Sequence, residues 1–243
     1  MKRRNPNRRR FSLEGESCRV GDSFHTKPLK RVEPPSIART VFVDIETGGL
    51  QLHRPIIQIA AIAVDGELNY VEEFEVKIQF NENKADANAL RKIHYRRAEW
   101  KREAVPERKA CWSFAKFLRK HATVELHRRD LTTFSVAQLA CHNAEFDGPF
   151  LRAWFERNDT FMPASYRIFC TLQRAYWHFQ ETPDLRLPAD YRLGTLCEYF
   201  GVPLSAHEAH EAMADVRATV SLYGAILGRT PHVVEDTRSR GRS

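Results

Sequence analysis

The chain opens its ordered-looking part with a run that should be buried and is then interrupted by charge. Residues 40–46 (TVFVDIE) are β-branched and aromatic until two acids enter, and a double glycine follows at 48–49. Residues 56–64 (IIQIAAIAV) form a near-continuous apolar run, the pattern of a strand covered on both faces. Asp65-Gly66 supplies a turn, and 70–80 reads as a third strand completing an antiparallel meander. Helical spacing appears at 85–95 and 109–121, a short strand at 138–142, and a helix at 147–157. Residues 167–169 read as another short strand leading into a helix through Phe179. Leu193–Phe200 is a helix stopped by Gly201 and Pro203, and 208–227 is a long helix ended by Gly228. The segment 123–136 fits either a loop insertion or an extra hairpin. Three early strands followed by alternating helix and strand predict an α/β fold with a mixed central sheet, antiparallel first and parallel afterwards, flanked by helices.

Charge divides the chain into three parts. The net charge is +7 over 243 residues, yet residues 1–35 carry a surplus of six basic groups, 229–243 a surplus of two, and 36–228 a net of −1. The expected organisation is therefore a disordered basic arm (1–35), a folded domain (36–228) and a flexible basic tail (229–243), with a Pro-rich hinge at VEPPS, 32–36. The arm at KRRNPNRRR reads either as a phosphate-gripping element or as a solvated tail. No apolar stretch follows its arginines as a secretory signal requires, and Glu14, Glu16 and Asp22 count against a mitochondrial presequence. No apolar run approaches about 18 residues, so no membrane association is expected. The five cysteines are scattered and form no CxxC, as in a reduced cytoplasmic protein, or a nucleoid-associated one in a bacterium.

Side chains alternate along a strand, so Asp44 and Glu46 share a face with Phe42, opposite Val41, Val43 and Ile45. Same-face neighbours lie about 7 Å apart, and two like charges at that spacing raise each other's pKa. A divalent cation relieves the conflict, since hard metals take carboxylate oxygens. Two later stretches supply more acids. In ACHNAEFDGPFL, Asp147 is predicted at a strand-to-helix junction, where the carboxyl edge of an α/β sheet builds sites. In AHEAHEAMADVRATVSLY, Asp215 heads a helical stripe through Thr219, Leu222 and Ile226, which aims it at the edge of the core. His210 lies five residues earlier, about 140° away on a continuous helix, so the two converge only if His210 precedes the regular helix. A histidine there has the pKa of a general base. His207-Glu208-Ala209-His210 has one residue too few between its histidines for a zinc protease motif.

In this order the three stretches resemble the motifs of the DEDDh (DnaQ-like) 3′–5′ exonuclease superfamily: VDIETGGL the first, HNAEFDGPFL the second and HEAMADVRAT the third. RLGTLCEYFGVPL resembles the helix and turn that precede the third motif. The sister class has Tyr four residues before the last acid; here that residue is Glu211, which indicates the His variant. The resemblance implies a ribonuclease H-like fold and a two-metal hydrolysis using Mg²⁺ or Mn²⁺. By position, Asp44, Glu46 and Asp215 hold the tighter ion, Asp44 bridges to the second, and Asp147 holds that one directly or through water. His210 deprotonates the attacking water, and a nucleoside 5′-monophosphate leaves the 3′ end of DNA or RNA. Thr47, Gly48, Gly49 and Leu50 are expected to contact the terminal nucleotide, with Asn143 supporting Asp147 and Phe146 either stacking on the base or sitting in the core. A single-stranded 3′ end is the expected partner. A proofreading role in a polymerase complex, a homodimer and a non-catalytic nucleic-acid-binding module on the same fold stand as alternatives.

If the arm grips phosphates, deleting 1–35 weakens binding to long strands and flattens its salt dependence while sparing short ones. Filter binding at several salt concentrations checks this, and equal loss on dinucleotides and 30-mers contradicts it.

Overall fold

The computed structural model describes residues 38–204 and 211–229. The basic arm, the hinge, His207, His210 and the tail beyond Arg229 lie outside the described residues.

The three early strands form as their patterning dictates: β1 (Thr40–Thr47), β2 (Ile56–Val64) and β3 (Tyr70–Lys77). Every residue of β2 is buried. β3 alternates exposed and half-buried positions, as a strand at a sheet edge should. A 3₁₀ turn at Glu82–Lys84 precedes α1 (Ala87–Lys92), and α2 (Arg97–Glu103) and α3 (Glu107–Lys120) follow. The stretch at 123–136 is a hairpin of β4 (Val124–His127) and β5 (Thr133–Val136), which form a separate two-stranded sheet. Then come β6 (Gln138–Cys141), α4 (Ala144–Arg157), β7 (Phe169–Cys170), α5 (Thr171–Glu181), α6 (Leu193–Phe200) and α7 (Ala212–Ile226). The main sheet runs β3-β2-β1-β6-β7, with β2 antiparallel to β1 and β3, and β6 parallel to β1 and β7. The expected mixed sheet is thus present.

Several boundaries differ from the sequence pattern. The helix expected over 85–95 is confined to α1, because Asp86 and the 3₁₀ turn occupy its start and His94 takes a left-handed backbone at its end. α2 escaped the pattern because Trp100 is its one buried residue, which leaves no apolar stripe to read. β3 stops at Lys77, with Ile78 continuing as an isolated bridge to Val105. α4 begins three residues earlier than expected, so Asp147 stands in its first turn rather than at the junction.

Alternation along β1 sorts its residues onto two cores. Val41, Val43 and Ile45 face a layer built from Phe114 and Leu118 of α3 and Phe150, Leu151 and Trp154 of α4. Phe42 faces the opposite layer, where Val216 and Val220 of α7 meet Ile62 and Val64. α7 also packs backward, through Ala218, Leu222 and Ile226, onto α5 and α6. It is therefore clamped from both sides. No described helix is long and apolar enough to cross a membrane.

Trp154 is fully buried in the first core, and its indole N–H has no hydrogen-bond partner among the described residues. Trp154→Ala is expected to cost about 3–5 kcal/mol in urea unfolding. Trp154→Phe, which keeps a ring and removes the unpaired donor, is expected to cost less than half of that.

Candidate active site

The site forms where β1 outruns its neighbour. β6 pairs with β1 only from Thr40 to Phe42, then ends at Cys141 and turns into α4. Asp44 and Glu46 lie beyond that pairing, flanked on the other side by Ala60 and Gln58 of β2. The β1–β2 register shifts between Glu46 and Thr47, so the strand kinks as it leaves the acids. Small side chains then bring a helix close. Ala60 of β2, Ala140 of β6 and Ala212 of α7 pack in one cluster on the acids' face of the sheet. With methyl groups at this end, the first turn of α7 approaches the sheet and delivers Asp215, itself buried. Carboxylate oxygens of Asp44, Glu46 and Asp215 lie within 4.8 Å of one another.

Asp147 reaches the same place from the other side of β1. Asn143 turns the chain from β6 into α4 with a left-handed backbone (φ 78°), a conformation Asn tolerates better than most residues. Asp147 follows one turn later and is buried. Gly148, next to it, packs against Ile168, whose methyl an added Cβ would strike.

The electrostatics are those of a crowded, dehydrated set of acids. Burial first, and then the charge of Asp215, raises the pKa of Asp44 well above the ordinary carboxylate range. Glu46 rises for the same reasons, with Asp44 its leading charged neighbour. Asp147 rises through burial and the charge of Asp44, opposed by the backbone amides of Asp147 and Ile45. Lys92, at the end of α1, counters the rise at both Asp44 and Glu46. The donor set suits a divalent cation: carboxylate oxygens of half-buried Asp44 and Glu46 and buried Asp215 converge, and among the described residues at the site Lys92 is the cation that opposes their charge.

A cavity of about 510 Å³ opens over the acids. Of the residues expected to meet the terminal nucleotide, Thr47, Gly49, Leu50, Asn143 and Phe146 line it. The Thr47 hydroxyl donates to the Gly49 carbonyl (2.8 Å), which fixes the turn. Leu50 is 80% exposed. Phe146 serves both readings, packing on Phe150 (ring centroids 4.8 Å apart) while facing the cavity. Gly48 does not line it: a Cβ there would meet Ala85 and Pro55, so close packing accounts for this glycine. Gly49 has φ +149°, and a side chain on it would strike Asp86. Backbone bonds from Gly48 N–H to the Pro55 carbonyl (2.8 Å) and from Asp86 N–H to the Gly48 carbonyl (2.7 Å) tie this turn to the start of α1. That connection holds Lys92 over the acids. Sequence reading missed Lys92, whose one signal was its place in a basic last helical turn. His210 falls outside the described residues.

Residues 41–223 match the family model RNase_T, described as Exonuclease. The chain is 31% identical to ribonuclease T of Marinobacter nauticus over 201 residues, covering 78% of this chain and 82% of that one. It is 36% identical to a PolC-type DNA polymerase III of Oceanobacillus iheyensis over 91 residues, 37% of this chain and 6% of the polymerase. Among solved structures it is similar to exonuclease I, with a TM-score of 0.63 and 21% identity over 79% of this chain and 41% of the other. It is also similar to E. coli exonuclease I in complex with a dT13 oligonucleotide, with a TM-score of 0.61 and 21% identity over 76% of this chain. The chain spans about two fifths of the exonuclease I chains. These structural likenesses establish the ribonuclease H-like fold.

Because the acids' pKa values are raised, the folded chain keeps protons that the unfolded chain releases above about pH 4. Without metal, the folded state therefore loses stability as pH rises from there through neutrality. In chelator the Tm is expected to fall between about pH 5 and about pH 8, and Asp44→Asn to flatten the fall. At about pH 8, Mn²⁺ should raise the Tm of the native chain and not that of Asp44→Asn. A metal-free Tm that climbs over this range would overturn the electrostatic reading.

Proposed function

The chain belongs to the RNase_T exonuclease family, and we propose that it is a divalent-metal-dependent 3′–5′ exonuclease acting on single-stranded nucleic acid. The observation that carries this reading is the convergence of the Asp44, Glu46 and Asp215 carboxylates at the end of the central strand, with Asp147 beside them. A nucleic-acid-binding module without catalysis gains nothing from four acids lining one cavity, since each repels the phosphate it would bind.

Asp44, Glu46 and Asp215 would hold one Mg²⁺ or Mn²⁺ ion, and Asp44 with Asp147 a second. Divalent cations supply positive charge for the phosphoryl oxygens and lower the pKa of an attacking water. The chain's own groups do the rest. The two strand acids set the position of the scissile phosphate on the rigid central strand. Thr47, Leu50 and Phe146 receive the terminal sugar and base in the cavity alongside. Lys92, a cation at this cavity's wall, attracts the phosphate backbone toward the acids. His210, five residues before Asp215, takes the proton of the attacking water. The product is a nucleoside 5′-monophosphate and a strand shortened by one residue. The ribonuclease T relative favours RNA as substrate, and the exonuclease I complex with dT13 favours single-stranded DNA; the acids serve both.

One degradation panel tests direction, sugar and metal together. On 5′-labelled single-stranded DNA and RNA with Mg²⁺ or Mn²⁺, a ladder of progressively shorter labelled products is expected, and chelator abolishes it. Asp44→Asn and Asp215→Asn are expected to lower the rate by about 10³-fold or more with an unchanged far-ultraviolet circular dichroism spectrum. His210→Ala should lower it by about 10²–10⁴-fold. Immediate release of the labelled mononucleotide would reverse the assigned polarity, and full activity in both acid variants would end the proposal.

A further inference from the structure

A second cavity, of about 650 Å³, meets the first at the acids. Asp44, Asp215, Lys92, His142 and Asn143 line both. Beyond these shared residues the second cavity is walled by the start of α5, the loop before α6 and the start of α6. Its most distinctive wall is aromatic. Tyr176 of α5 and Tyr191 of the loop stack face to face, with ring centroids 3.8 Å apart and planes 15° apart. Tyr191 is anchored from behind by the edge of buried Phe179, at 5.8 Å and 84°. Tyr176 is 47% exposed, and the adjoining Arg192, also exposed, keeps a long ion pair with Asp190 (3.7 Å).

His142 fixes this aromatic pair relative to the acids. Its Nε2–H donates to the Tyr191 carbonyl (3.1 Å), which can only accept, so Nδ1 is left to accept from the Thr171 hydroxyl (2.9 Å). Burial holds the ring neutral, the state in which it makes both bonds at once. Thr171 begins α5, and Tyr191 lies in the loop before α6. One side chain, next to Asn143 and five residues before Asp147, thus ties both tyrosine-bearing segments to the carboxylate site.

We propose that this second cavity is the subsite for the penultimate nucleotide, whose base extends the Tyr176–Tyr191 stack while Arg192 and Lys92 face its phosphates. The inference rests on the exonuclease reading above. A phosphodiester held at the acids has one nucleoside on each side, and two cavities that share those acids provide one place for each. Stacking on an aromatic face accepts any base, so the subsite confers no sequence preference. It does require a free face. A base inside a duplex has its faces covered by neighbours, so the platform selects single strands.

The test is a double-mutant cycle with the substrate as one partner. The kcat/KM of the native chain, Tyr176→Ala and Tyr176→Phe is measured on a single-stranded oligonucleotide and on the same strand lacking only its penultimate base. For the native chain, removing the base is expected to lower kcat/KM about tenfold, carried by KM. For Tyr176→Ala the intact strand falls to about that level, and removing the base then costs less than about twofold. Tyr176→Phe stays within about twofold of the native chain on the intact strand. The subsite is overturned if base removal costs Tyr176→Ala as much as it costs the native chain, or if Tyr176→Phe falls as far as Tyr176→Ala. Failure of the native chain to hydrolyse the intact strand would instead overturn the exonuclease reading and the subsite with it.

Discussion

Mutual repulsion among crowded, partly buried carboxylates is the constraint around which this molecule is arranged. Asp44, Glu46, Asp147 and Asp215 come from three distant parts of the chain and are brought into one poorly solvated place. Each would be more stable elsewhere. What opposes the repulsion is apolar packing on both faces of the sheet: α3 and α4 bury large aromatics against one, and α7 seats valines against the other. The acids lie at the boundary of these cores, on backbone that the cores hold rigid. Charges that would relax apart on flexible loops are thereby kept at ligand distance.

Local choices along the chain serve that end. The alanines at 60, 140 and 212 let a helix approach the sheet where Asp215 must reach Asp44, while Ile62, Val64 and Phe42 fill the same layer further away. β6 stops short of the acids, which leaves β1 open on one side. Asn143 takes the left-handed turn that lets α4 start at once and place Asp147 in its first turn. The turn at 47–55 is bonded to the start of α1, and so the cation Lys92 is carried to the cavity that the acids line. His142 does the equivalent on the far side, holding α5 and the loop before α6 to the same centre.

Much of this was legible in the chain. β2 was read to the residue because its apolar run is near-continuous, and α6 because Gly201 and Pro203 stop it. The acids were legible because three short motifs occur in order, and because period-two alternation separates Asp44 and Glu46 from the aliphatic face of β1. Weakly patterned pieces were harder. α2 buries a single tryptophan, and α1 is six residues long, too short for periodicity to define. The hairpin at 123–136 could not be told from a loop because its strands are four residues each, too short for alternation to define a period.

The sequence by itself determined which acids would be brought together and the class of fold that holds them, since alternation, helix stripes and motif order are properties of neighbours along a chain. Tertiary structure alone decided what else meets them. Lys92 belongs to the site through a turn bonded to a helix that begins more than thirty residues later. Gly48 proves to be a packing glycine because Pro55 and Ala85 fill the space its side chain would need. Tyr176 and Tyr191 stack in a cavity shared with the acids, and His142 bonds to both of their segments. These are contacts between positions with no regular spacing, so no period in the sequence can encode them, and only the closed fold brings them together.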